Sequence, residues 1–356
     1  MTNWIEHLAA LGARFHQDEA TQIDDFGTTL TAAAVADGMV APVTDLGLIA
    51  IAGADAASFL HNQVTNDVEH LGANEARLAG YCTPKGRLQA TFLMWRGVQD
   101  NPDDIVLALP RAIQPALQKR LTMFVLRAKA KLRDATDEAA TAAVLGLAGA
   151  KAQAALARHV DALPDAPYAK VDGGFGTVIR LADAMDAPRY LWITSAETAM
   201  AALPRLRETL QLGGNTAWRL AGIHAGVPQV TPPTQEQFVP QMVNFELIGG
   251  VNFKKGCYPG QEIVARSQYL GKLKRRMVLA TLPNAAARAG DEVYSSGDPD
   301  QPSGMIVNAA PNGAGGADAL VEIKLAALEH EVRHGSAGGT PLAFLPLPYA
   351  IDGPSA

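Results

Sequence analysis

The stretch Val251-Asn252-Phe253-Lys254-Lys255-Gly256-Cys257-Tyr258-Pro259-Gly260-Gln261-Glu262-Ile263-Val264-Ala265-Arg266 gathers a cysteine, two lysines, three turn-forming residues and an acid within a dozen positions. Gly256 and Gly260 bracket Cys257, and Pro259 stands where a helix tolerates proline best, at its first position. From Gln261 the residues are good helix formers, and Gly271 is a plausible stop. The spacing predicts a tight loop running into a short helix, with Cys257 just ahead of the helix N-terminus. Free N–H groups and partial positive charge gather at that end. With Lys254 and Lys255 alongside, the thiolate form is expected to be favoured. The plain alternative is a small cysteine buried in a packed turn, since free cysteine is among the most buried residue types.

Around that stretch the chain has the composition of a globular protein. Its 356 residues are 48% hydrophobic and 19% charged, which supports a sizeable core and two to three domains. The net charge of −6 excludes a general nucleic-acid coat. Two cysteines, Cys82 and Cys257, make no disulfide framework and suit a reducing cytoplasm. The first thirty residues lack the basic and apolar regions of a signal peptide, and no apolar run reaches the length of a membrane span, so no membrane partner is expected.

Residues 1–38 read as a loosely specified leader with one helix near Trp4 to Arg14. Strands are expected at Leu46–Ile51, Ala76–Cys82, Arg87–Trp95, Asp104–Leu109 and Lys129–Arg133, and the turn Thr83-Pro84-Lys85-Gly86 joins two of them. Helices are expected before Gln63 and over Arg111–Met123. The middle, 137–212, alternates strands with the alanine-rich helices Ala150–Val160 and Ala196–Leu210, an α+β pattern of ferredoxin-like type. After Arg276, short strands alternate with Gly, Pro, Asn and Asp turns, the pattern of a small β-barrel. The tail 350–356 reads as loose.

Lys255-Gly256-Cys257-Tyr258-Pro259-Gly260-Gln261-Glu262 resembles the K-G-C-Y-x-G-Q-E signature of the YgfZ family, matching its seven fixed positions. Phe59 to Val68, Cys82 to Leu88, Asn244-Phe245-Glu246, Gly249 to Phe253 and Tyr269 to Lys272 are similar to other motifs of that family, so the resemblance covers roughly 40–349. It implies an α+β fold of the three-domain type of the glycine-cleavage T-protein, an aminomethyltransferase, arranged around a central hole. The expected parts are an N-terminal folate-binding domain (39–136 with 213–275), the ferredoxin-like domain (137–212) and the C-terminal barrel (276–349).

The resemblance further implies a tetrahydrofolate-binding (or other reduced-folate-binding) accessory protein for iron–sulfur proteins, with iron–sulfur clients or assembly factors as partners. Cys257 is then the working thiol, with Lys255, Tyr258, Gln261 and Glu262 beside it. Asp67, Arg219, Glu246, Gly256 and Gly260 are the expected folate contacts. An arginine can fork onto a glutamate-tail carboxylate, and a glutamate can accept from the pterin N–H edge. Each has a plain alternative: Asp67 as a turn cap, Arg219 and Glu246 as partners in structural ion pairs.

Aminomethyltransferases use an aspartate after a Gly-Gly turn. The corresponding strand here offers Gln89 and Ala90, and no Asp or Glu occurs from Gly80 to Gln99. That departure argues against transferase chemistry; a one-carbon transferase and a non-catalytic scaffold remain the alternatives. From Lys254 to Arg276 seven Lys/Arg face a single acid, Glu262. An anionic partner fits: a folate polyglutamate tail, an acidic protein or RNA; the usual fate of such a run is a solvated face. His330-Glu331-Val332-Arg333-His334 matches a zinc-protease string, but glycines follow at once, the helix it needs is missing, and no metal is expected. Cys82 reads as a core residue.

Overall fold

The computed structural model describes residues 2–17, 21–98, 101–271 and 273–351. The chain divides into two units. The first comprises Met1–Phe59, Glu69–Arg77 and Leu93–Ala221; the second comprises Leu60–Val68, Leu78–Phe92 and Gly222–Ala356.

In the first unit a six-stranded sheet runs in the order Lys170–Gly173, Gly176–Ala184, Ala187–Thr194, Ala143–Ala148, Met39–Pro42 and Gln211–Leu212. All neighbours are antiparallel except the last pair. One face carries Leu145, Leu147, Val178, Tyr190 and Trp192, and the amphipathic helix Ala196–Leu206 covers it with Ala199, Ala202, Leu203 and Leu206. Ser195 starts that helix by accepting the N–H of Thr198, as an N-cap serine should. Strand Leu46–Ala52 lies between Asn101–Pro110 and Lys131–Asp134. Ile49, Ala50 and Ile51 are fully buried there, the continuous apolar run of a strand covered on both faces.

Residues 2–17 and 21–38 are not a loose leader. Helix Thr2–Ala10 sets Trp4 and Leu8 one turn apart on one face, and both enter the core of the six-stranded sheet together with Ile23. A two-stranded ribbon, Arg14–Phe15 with Ile23–Asp25, and helix Ala32–Asp37 follow. The polar residues between these anchors hide the pattern in the sequence.

The second unit carries a seven-stranded antiparallel sheet in the order Thr340–Pro341, Val332–His334, Glu292–Ser295, Gly304–Pro311, Ala317–Lys324, Arg275–Leu282, Ala343–Leu345. Its two outer strands are separated in sequence by Leu342 alone. The sheet therefore curls until its edges almost meet, which removes the exposed-edge problem of a flat sheet. Ala280, Leu282, Val293, Ile306, Val321 and Ile323 fill it. His334 sits on a strand here and contacts Asp291 at 2.8 Å, so the zinc-protease string has neither its helix nor, among the described residues, any three-ligand group. No helix among the described residues is long and apolar enough to cross a membrane.

Candidate functional site

Cys257 is presented by a loop whose other residues are held. Gln261 N–H donates to Tyr258 O at 3.2 Å, closing a turn with Pro259 and Gly260 at its centre. Gly260 has φ +82° and ψ 1°, the left-handed corner of a type II turn, where proline precedes and glycine is required. A Cβ on Gly260 would lie 2.3 Å from Thr83 O. The same tightness recurs opposite: Gly86 has φ +71°, and a Cβ there would meet Ile263 Cβ at 2.9 Å. Signature turn and strand-joining turn thus interlock through two glycines.

The helix begins at Gln261 with Gly260 as its N-cap, so Pro259 is a turn residue rather than the first helical one. Cys257 is separated from the helix end by the whole turn, and the pull of the helix dipole on it is weaker than the sequence spacing suggested, since that effect fades within a turn.

Lys255 donates its ammonium to Val64 O at 2.7 Å and to His61 O, and stands 5.0 Å from the centre of the Tyr258 ring. It thereby caps the last carbonyl of helix Ala56–His61 and ties down the segment that follows it. Gln261 Nε2 reaches Gly256 O at 3.4 Å across the loop. Tyr258 is buried; burial pushes its hydroxyl pKa up, and the nearby Cys82 adds to that. Burying such a ring stabilises the loop by roughly 1.5–3 kcal/mol. Cys82 is a core residue, its thiol pushed up to about 12 by burial. Cys257 alone of the two is exposed. Glu262 faces solvent and makes only a 3.5 Å surface pair with Arg266.

Asp67 Oδ1 lies 3.2 Å from His61 Nδ1, both side chains largely buried. His61 Nε2 in turn lies 3.6 Å from where a Cβ on Gly256 would sit, so the imidazole is packed on the backbone just before Cys257. Thr65 and Asn66 fasten this segment to the approach of the signature: Thr65 Oγ1 donates to Gly250 O at 2.6 Å and Asn66 Nδ2 to Gly249 O at 2.7 Å. His61 is the residue that sequence reasoning passed over. Its signal was its place in the Phe59 to Val68 motif, six residues before Asp67.

Glu246 is an ion pair with Arg276, and its side chain is only 4% exposed. Burial pushes its pKa up, and Arg276 pulls it only partly back. Arg276 serves Oε1, while Oε2 is buried without a hydrogen-bond partner. A buried carboxylate oxygen in that state calls for a donor, so this group fits the N–H edge expected of a pterin. Arg219 belongs to the first unit, where it pairs with Asp45 at 2.9 Å. Next to it in sequence, Trp218 carries the buried guanidinium of Arg189 at 4.7 Å from its ring centre.

The basic window is less basic than its composition. Arg275 and Arg276 are paired with Glu322 and Glu246, and Lys255 is turned onto carbonyls. Lys254, Arg266 and Lys274 remain exposed, and Lys272 lies outside the described residues. The strand expected to lack a carboxylate does lack one, but Gln89 donates to Glu236 Oε1 at 2.6 Å, so a carboxylate reaches it from another segment.

No family model matches the chain. It is 34% identical over 233 residues to the tRNA-modifying protein YgfZ of Cronobacter sakazakii, covering 65% of this chain and 68% of that one. It is 32% identical over 250 residues to the protein of the same name in Enterobacter sp. (strain 638), covering 70% and 74%. With that of Yersinia enterocolitica it shares 29% identity over 312 residues, 86% and 91% of the two chains. Among solved structures, the glycine cleavage system aminomethyltransferase T of Bartonella henselae superposes with a TM-score of 0.75 at 16% identity, over 96% of this chain and 94% of the other. The fold is therefore that of the T-protein, α+β with a nearly closed C-terminal barrel, as the signature implied.

Proposed function

This chain belongs to the YgfZ family, and on that premise we propose that it is a cytoplasmic, tetrahydrofolate-binding accessory protein for iron–sulfur enzymes, working through Cys257. The observation that carries the reading is the exposure of Cys257 on a loop whose neighbours are all tied down. A thiol displayed this way reaches a client without the loop having to open. Glu246 Oε2 supports the folate part: it would accept from the pterin N–H edge, with Arg276 holding the other carboxylate oxygen. The relatives are named for tRNA modification; the two roles meet if the client is an iron–sulfur enzyme acting on tRNA. Calorimetric titration with tetrahydrofolate tests the folate part. Binding that Glu246→Gln weakens at least tenfold supports it, and heat-silent titration of both proteins by calorimetry and by fluorescence sinks it.

A second reading, a folate-dependent one-carbon transferase, is favoured by one contact, that of Gln89 with Glu236. Turnover of a methylene donor with tetrahydrofolate, abolished by Glu236→Gln, would select it over the accessory role. Should Cys257→Ala lower thermal stability without any reactive thiol in the parent, the scaffold alternative would stand instead.

A further inference from the structure

From Ile105 to Arg133 the chain has seven Lys/Arg and no acid. Two of these are neutralised: Arg111 pairs with Asp134 and Asp137, and Arg133 with Asp104 and Glu138. Lys119, Arg127, Lys129 and Lys131 are exposed, and none has an ion pair among the described residues. Between them helix Gln114–Met123 ends in apolar side chains left in water: Met123 is 61% exposed, Phe124 46% and Leu126 87%. Beside them opens a cavity of about 420 Å³, whose walls include Gln114, Lys119, Met123 and Asp134. Gln114 is 1% exposed and its Oε1 has no hydrogen-bond partner. Asp134 is held below its ordinary range: burial opposes this, but hydrogen bonds from Thr136 and the charge of Arg111 outweigh it.

We propose that this face of the first unit binds an unpaired segment of RNA, with one base in the cavity and the flanking phosphates on the four free cations. The occupant follows from the chemistry of the walls. The cavity offers acceptors, Gln114 Oε1 and the Asp134 carboxylate, so it takes a group with N–H donors, as a nucleobase edge provides. An acidic peptide satisfies the cations but brings its carboxylates against Asp134. A lipid satisfies the cations but leaves both acceptors buried against hydrocarbon, which is costly. A nucleotide strand supplies all three: phosphates for the lysines and arginine, an N–H edge for the acceptors, and a π face for Phe124. This inference rests on the tRNA-directed part of the proposed function and names the surface that part would use.

Fluorescence anisotropy with a labelled single-stranded RNA 12-mer, and with tRNA as competitor, tests it on the full chain without folate or client. Loss of the folate–thiol reading would leave the result untouched, and Cys257→Ser binds RNA as the parent does. Affinity falls with salt at a log–log slope of roughly −3, about 0.7 per phosphate for four contacts. Joint replacement Lys119→Gln, Arg127→Gln, Lys129→Gln and Lys131→Gln removes that slope and weakens binding at least tenfold. Phe124→Leu, which keeps apolar bulk, weakens it about tenfold, while Phe124→Trp retains it. Gln114→Met weakens RNA binding yet leaves the melting temperature equal or higher, because it removes an unsatisfied buried acceptor. The proposal is overturned if the parent binds no RNA at low salt, if the quadruple variant binds as well as the parent, or if polyglutamate or anionic phospholipid vesicles displace the RNA at equal concentration of charge.

Discussion

Two cation-rich segments of this chain have opposite fates. Lys254 to Arg276 and Ile105 to Arg133 each hold seven Lys/Arg. In the first, three of the seven are used as internal fastenings: Lys255 on the carbonyls of His61 and Val64, Arg276 on Glu246, Arg275 on Glu322. In the second, four cations reach solvent unpaired beside exposed Phe124 and Leu126. The count of charges is equal; their availability is not. A buried ion pair or a lysine on carbonyls shapes a loop, whereas a free cation on an apolar rim is available to a partner. The signature loop is thus a built object that shows one exposed thiol, and the other segment is an open surface.

Breaking the fastenings should cost far more than stripping the surface. Arg276→Met leaves the Glu246 carboxyl buried without its cation, and should lower stability by about 3–5 kcal/mol in urea unfolding. Gly260→Ala must fit a Cβ against Thr83 O in a left-handed turn, and should cost roughly 2–4 kcal/mol, read as a fall in melting temperature. Lys255→Met removes the donor to the carbonyls of His61 and Val64 and should cost about 1–3 kcal/mol. Lys129→Gln on the open surface should stay within about 0.5 kcal/mol of the parent. If Lys129→Gln proved as damaging as Lys255→Met, the contrast between the two segments would collapse.

Acid should sharpen the same contrast within the barrel. Burial pushes Asp318 up, but hydrogen bonds from His224, Asn312 and Thr281 outweigh it and hold its pKa below the ordinary 3.8. A depressed carboxylate stabilises the fold above its unfolded value and loses that contribution as pH falls through the folded one. Stability should therefore drop below about pH 3.8, and Asp318→Asn should flatten that part of the profile.

Much of this was legible from local chemistry. Proline then glycine after Tyr258 announced a turn, and Ala76–Cys82 has the bounds that alternation and turn residues set. The long-range pairings within each unit were not legible, because they join distant positions. Arg219 meets Asp45 across 174 residues, and Lys255 meets Val64 across 191. Spacing within a segment says nothing about such partners. A helix near Trp4 was expected, but the core that Trp4 and Leu8 enter is formed mostly by strands more than a hundred residues on. The barrel itself was expected from its short strands and turns; the joint that nearly closes it was not, since Leu342 alone separates the two edge strands and no periodicity marks it.

Cys257 is the thiol proposed to do the work. Its most direct test is rescue of an iron–sulfur enzyme's activity in cells lacking this protein, comparing the parent chain, Cys257→Ser and Cys82→Ser at matched expression and melting temperature. The account predicts rescue by the parent and by Cys82→Ser, and none by Cys257→Ser. Full rescue by Cys257→Ser would contradict it and leave the signature loop a structural fastening alone.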